Sequence, residues 1–251
     1  MSESNLNPPR VPSVRYKRNF IKTAVCELRF PTILELDRRP PSEFQAKIRK
    51  IYPFYEGQLL EQAGMGGSEE ILKERRYLFR SKDQRWTVTV RNFSIALETS
   101  SYVDFGDFFS RFKQILNNAK ELIDADFFTR IGLRYINLVP IEDDNLDGWI
   151  NPDLIRPAIG GVLGKPDKFN SAIHGTLENG QFLMKHGLQQ EQGAGANAQK
   201  KYLLDFDYAS ENVEMAAVES RIQSFNEMNF SLFTWCLGEK AKKLLGSGTP
   251  K

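Results

Sequence analysis

An α+β fold, with antiparallel sheets packed against two long amphipathic helices, follows from three features of this 251-residue chain. Short β-rich runs at 77–80, 86–91 and 94–99 are divided by turn residues, the pattern of a meander. Apolar residues recur at helical spacing over 105–123 and again over 218–244. Each half of the chain therefore ends as strands followed by a long helix, which suggests two β-meander-plus-helix halves.

Taken in order, residues 24–30 alternate: Ala24, Cys26, Leu28 and Phe30 are apolar, Glu27 and Arg29 face the other way, and Pro31 ends the strand. After Pro40 and Pro41, Ser42 is placed to cap a helix with the face Phe44, Ile48 and Ile51, ending before Pro53. Residues 57–74 contain Gly64, Gly66 and Gly67 without sustained periodicity and read as a loop. Trp86, Val88 and Val90 form one face of the meander. The helix at 105–123 presents Phe108, Phe112, Ile115 and Ala119 in one stripe, with Asp104 or Asp107 near its start. At 130–139, Ile131, Leu133, Tyr135 and Val139 alternate with Arg130 and Arg134, as in a strand.

The second half opens with a polar connection at 141–168 holding a short helix around 149–159. Residues 169–188 read as a hairpin closed by Asn179-Gly180, a favoured type I′ pair, 201–208 as a further strand, and 218–244 as the last helix. The expected organisation is a flexible basic arm (1–18), an N-terminal β/α half (19–141), a connection (142–168) and a C-terminal β/α half (169–246), the halves forming one compact unit.

Hydrophobic residues at 41% and 18 Phe supply a substantial core. The two cysteines, Cys26 and Cys236, each sit in an apolar segment, where a free thiol behaves as a small hydrophobe. The first 18 residues have no apolar core of a leader, and no run reaches the ~20 apolar residues of a membrane span; a cytoplasmic protein without a membrane span is expected. Residues 1–50 hold eleven Lys/Arg against five Asp/Glu. No aromatic interleaving accompanies these charges, so nucleic acid is not the expected partner.

Chemical motifs are sparse. A two-residue turn at Asn179-Gly180 pairs His174 with Lys185 and Ile173 with His186, putting the two histidines on opposite faces and arguing against a shared metal site. The glycine-containing runs at 64–68 and 193–197 lack the form of a phosphate-binding loop, and 189–199 has the composition of a flexible connector. No cofactor, metal ligand or catalytic residue is assigned. The candidate ligand-binding residues are charged positions inside otherwise strong strands: Glu27, Arg29, Arg130, Arg134, Asp205 and Asp207. Two readings remain. These residues form a solvated face with cross-strand ion pairs, or they converge as an anion-binding patch of arginines balanced by carboxylates.

Cys26-Glu27-Leu28-Arg29-Phe30-Pro31, Phe44-Gln45-x-x-Ile48-Arg49-x-x-Tyr52-Pro53 and Arg130-Ile131-Gly132-Leu133-Arg134-Tyr135-Ile136-Asn137 resemble a sporadically distributed family of uncharacterised bacterial proteins of about this length. The segments Tyr77-x-Phe79-x-Ser81-x-Asp83, Trp86-x-Val88 and Leu204-Asp205-Phe206-Asp207 extend the resemblance over most of the chain. It implies a bacterial cytosolic protein with the patchy distribution of defence-associated genes, and it implies no activity. The leading expectation is a non-enzymatic binding or accessory protein, of a defence or toxin–antitoxin-like kind, acting through a protein partner; a homodimer is compatible with this. The alternatives are a small-ligand binder with a cavity lined by Trp86, Tyr135 and Phe182, and an enzyme on phosphate-containing substrates using the six charged residues.

Overall fold

The structure, a computed structural model, describes residues 11, 14–63, 71–142, 145–156, 166–177, 180–190, 200–246 and 249–250. The strands are β1 (Val14–Arg15), β2 (Ile21–Arg29), β3 (Phe54–Ala63), β4 (Ile71–Arg80), β5 (Trp86–Arg91), β6 (Ser94–Thr99), β7 (Phe127–Pro140), β8 (Phe169–Leu177), β9 (Gly180–Gln190), β10 (Lys200–Glu214) and β11 (Thr249–Pro250). The helices are α1 (Ser42–Ile48), α2 (Phe105–Ile123), α3 (Pro152–Ile155), α4 (Val218–Cys236) and α5 (Glu239–Leu245). Antiparallel sheets with separate helices make the fold α+β. Two compact units divide the chain: Thr23–Gly132 with Ser210–Arg221, and Met1–Lys22 with Leu133–Ala209 and Ile222–Lys251. The divisions fall inside β2, β7, β10 and α4 rather than in the 142–168 connection.

In the first of these units, β3, β4, β5, β6 and β2 lie side by side in that order, each antiparallel to the next. Strand alternation turns Ala24, Cys26, Leu28, Val88, Val90 and Leu97 inward, all 1% exposed or less. Helix α2 starts where the Asp104 carboxylate accepts a hydrogen bond from the Asp107 N–H at 2.9 Å. Its stripe of Phe108, Phe112, Ile115, Leu116 and Ala119 is buried, with the Phe108 ring against Trp86 at 6.0 Å. Complete burial of a side chain such as Phe108 stabilises the fold by about 1.5–3 kcal/mol. Helix α1 docks through Phe44, edge-on to Phe79 at 5.7 Å.

The expectation of a loop at 57–74 is overturned over its described part. Strands β3 and β4 pair from Phe54↔Arg80 to Ala63↔Ile71; residues 64–70, with Gly64, Gly66 and Gly67, lie outside the described residues. The signal was missed because polar side chains satisfy one another along and across the hairpin: within β3, Gln58 Nε2 donates to Glu56 Oε1 at 2.6 Å, and Arg80 of β4 pairs with the same carboxylate. Cross-strand pairing of this kind needs no apolar alternation.

In the other unit β10, β9 and β8 are antiparallel neighbours, with the end of β7 beside β10. The β8–β9 hairpin has Leu177 opposite Gly180 and His174 opposite Leu183. Its register is thus two residues from the one expected, and Asn179 lies outside the described residues. A slip of two preserves faces. Phe182, Met184, His186 and Leu188 are buried, while His174 is exposed. Helix α4 buries Ile222, Phe225, Asn229, Leu232 and Cys236, and Phe225 lies beside the Tyr208 ring of β10 at 6.2 Å.

The single last helix expected over 218–244 is two helices. Gly238 separates α4 from α5 because its backbone runs against Gly148: a Cβ at Gly238 would stand 2.3 Å from the Gly148 carbonyl oxygen. Gly238 N–H donates to Trp149 O at 2.9 Å and Lys240 N–H to Gly148 O at 2.8 Å, beside the bridge Ile150↔Leu237. The short helix expected around 149–159 is one turn, α3, begun by Asn151 accepting from the Asp153 N–H at 3.0 Å. Of the basic arm, residues 1–10 and 12–13 lie outside the described residues. The described part is held: β1 pairs with β11, Arg18 N–H donates to Leu245 O at 3.1 Å, and Tyr16 stacks on Phe230 at 5.9 Å. Among the described residues no helix is long and apolar enough to cross a membrane.

Candidate functional site

With Cys26 and Leu28 turned into the core, period-2 geometry puts Glu27 and Arg29 on the opposite face of β2. Their cross-strand partners are small: Glu27 lies opposite Ala96 and Arg29 opposite Ser94. Ser94 is also opposite Arg91 of β5, so Arg91, Ser94 and Arg29 form one row across three strands. Glu27 Oε2 accepts from Arg29 Nε at 2.9 Å and from Arg130 Nη1 at 3.4 Å. The Arg130 guanidinium rests over Gly132, where a Cβ would come within 2.8 Å of Nη1. That contact gives a physical reason for the glycine between Arg130 and Arg134.

A second carboxylate repeats the arrangement. Glu74 Oε1 accepts from Arg76 Nε and from Arg91 Nε, both at 3.1 Å. These two glutamates therefore serve four arginines, and the guanidinium N–H groups on this face outnumber the carboxylate oxygens. Farther along, Glu56 is held below the usual carboxylate pKa by the Gln58 hydrogen bond and then by Arg80. Beneath the row, burial and the nearby Glu27 charge push the Cys26 thiol pKa well up, which keeps it protonated and unreactive.

In the other unit Arg134 grips Asp205 with two parallel hydrogen bonds, Nε to Oδ1 at 2.8 Å and Nη2 to Oδ2 at 2.7 Å. Asp205 is 6% exposed and lies opposite Lys185 on β9. Asp207 is two residues farther along the same face, opposite Leu183. On the inner face, His186 Nδ1 is 2.8 Å from Tyr202 Oη. Burial holds the His186 pKa down and raises that of Tyr202, so a neutral imidazole and a neutral phenol share this hydrogen bond. Thr234, Trp235 and Leu237 line an open cleft of about 520 Å³ together with Asn151, Glu239 and Lys242.

Of the six residues singled out from sequence, the structure brings Glu27, Arg29 and Arg130 together in one unit and Arg134 with Asp205 in the other. Asp207 lies two positions beyond Asp205 on the same strand and has interactions of its own. Sequence reading missed Glu74, Arg76 and Arg91. Arg91 ends a strand whose alternation was plain, and its polar phase with Thr87 and Thr89 was the available signal; Glu74 was hidden by the loop expected over 57–74, and Arg76 lies between that loop and the strand expected from Tyr77. The carboxylates that an Mg²⁺-dependent reading needs are engaged by arginines at Glu27 and Asp205. Among the described residues no group of three or more His, Cys, Asp or Glu side chains is arranged to hold a metal ion. Trp86, Tyr135 and Phe182, expected to line a ligand cavity, are buried in packing: Phe182 lies 4.6 Å from the Tyr208 ring, and Tyr135 Oη donates to Asn226 Oδ1 at 3.0 Å. No protein-family model and no curated protein matches the chain.

Proposed function

We propose that the chain is a non-enzymatic binding protein that docks an acidic surface of a protein partner on the arginine row of the 23–132 unit. The observation behind this reading is the sharing of Glu27 and Glu74, each between two arginines. Guanidinium groups so arranged are held in place by their carboxylates yet keep donors for the planar, bidentate recognition of further carboxylates. Resemblance to a patchily distributed bacterial family supports a role as an accessory component of a defence or toxin–antitoxin-like system. Affinity capture from expressing cells, compared between the native chain and an Arg29→Glu/Arg91→Glu variant of matched thermal stability, tests the reading. An acidic protein retained by the first and lost by the second is the expected result. Identical captured sets would sink it, as would turnover of a nucleotide or nucleic acid that disappears in a folded Arg134→Ala variant.

A second reading, a small-ligand binder, is favoured by the 520 Å³ cleft beside Trp235, which lies within the size range of ligand pockets. Native mass spectrometry of freshly purified protein separates the two. Added mass of a small molecule supports the ligand reading, and a bare chain supports the protein partner.

A further inference from the structure

We propose that β8 is the interface with a second copy of this chain, joined edge to edge about a two-fold axis at Ile173. Strand β8 ends the strand order of its unit, and no described strand lies on its far side. An open edge offers unpaired backbone N–H and C=O groups, and natural edges are normally guarded by charge, proline, bulges or brevity. None of these guards is present here. Residues Phe169–Leu177 form a nine-residue strand with no charged residue and no proline. Its pairing with β9 is continuous from Phe169↔Leu188 to Leu177↔Gly180, without a bulge. Asn170, Ala172, Ile173 and His174 are exposed, Ile173 at 38%.

The sequence of β8 is self-complementary in the antiparallel sense that a two-fold axis demands. Centred on Ile173, the pairing sets Ile173 against its own copy, Ser171 against Gly175 and Phe169 against Leu177 on the inner face. On the outer face it sets Ala172 against His174 and Asn170 against Thr176. No like charges meet, and the inner row, apolar at Phe169, Ile173 and Leu177, lies beside the buried row of Phe182, Met184, His186 and Leu188 on β9. The other open edge, β3, fits a copy of itself less well. Strand β3 carries a charged residue, Glu56, within its run and so has a guard that β8 lacks.

Sedimentation equilibrium over a concentration series, with the native chain, reads the outcome. The expected species is a dimer. Ile173→Lys sets two ammonium groups across the axis and is expected to raise the dimer dissociation constant about tenfold or more. An independent geometric check uses Ile173→Cys, which is expected to form an intermolecular disulfide under mild oxidation because directly opposed strand positions satisfy disulfide geometry. The two native cysteines are both fully buried and add little background. A native chain that stays monomeric overturns the proposal. So does a dimer that tolerates Ile173→Lys and fails to cross-link through Ile173→Cys. The arginine-row reading is untouched by either result, because its variants lie in the other unit and are read by partner capture.

Discussion

Arg134 and Asp205 form a two-bonded ion pair whose carboxylate end is nearly buried and whose guanidinium end is 42% exposed. That asymmetry decides which partner matters more to stability. Without the guanidinium, a buried carboxylate is left unpaired; without the carboxylate, water solvates the remaining cation. Arg134→Ala is expected to lower the unfolding free energy by about 2 kcal/mol, below the roughly 3–5 kcal/mol of a fully buried pair because water screens the exposed end. Asp205→Asn should lower it by about 1 kcal/mol. Urea denaturation of both variants at neutral pH checks the order; equal losses would contradict it.

Gly132 supports Arg130 rather than the backbone. Any Cβ there meets only the far end of a flexible side chain, the guanidinium at 2.8 Å, so Gly132→Ala is expected to shift stability by less than about 1 kcal/mol. Its effect should be on the ion pair with Glu27. A double-mutant cycle between Arg130→Ala and Glu27→Ala is expected to give a coupling of about 0.5 kcal/mol in the native background, falling toward zero when Gly132→Ala is also present. Unchanged coupling would mean that Arg130 keeps its position without the glycine.

How much of this was legible in the sequence depends on how local each cause is. Strands β5 and β6 and helix α2 have the bounds their own periodicity predicts, because each buries one face against one layer. The β8–β9 hairpin shows the limit of periodicity: it assigned His186 to the core and His174 to the surface, yet left register free to move by two. The break between α4 and α5 depends on Gly148, some 90 positions away from Gly238 in the chain, and no local pattern encodes it. Alternation alone also placed Glu27, Arg29 and Arg130 on polar faces. Glu74 and Arg76 escaped because they sit where β3 and β4 are polar on both sides of the hairpin.

Asn229 offers a test of core chemistry. It is 1% exposed on the apolar stripe of α4, between Phe225 and Cys236, and neither atom of its amide has a hydrogen-bond partner among the described residues. A buried amide without partners loses its hydration and gains nothing for it. Asn229→Leu, of similar volume, is expected to raise the unfolding free energy by about 1–2 kcal/mol. Thermal and urea unfolding of the variant measure this. Destabilisation instead would show that the amide has bonds in solution, for which bound water is the natural source.

His186 sets the pH response. Burial holds its pKa below the ordinary value, and Nδ1 of the ring shares a hydrogen bond with the Tyr202 hydroxyl. Near pH 6.5 the unfolded chain therefore binds more protons at this position than the folded chain does. Stability tied to the neutral ring is present above the unfolded pKa of about 6.5 and is lost as the pH falls below it, until the folded ring also protonates. The slope for one such group is at most about 1.4 kcal/mol per pH unit. Urea unfolding at pH 7.5, 6.5 and 5.5, a range above most carboxylate titrations, is expected to show the native chain weakening steadily. A His186→Gln variant, which cannot take up the proton, should weaken less over the same range. The difference between the two chains therefore has to shrink as the pH falls, and a difference constant with pH would place the titration elsewhere.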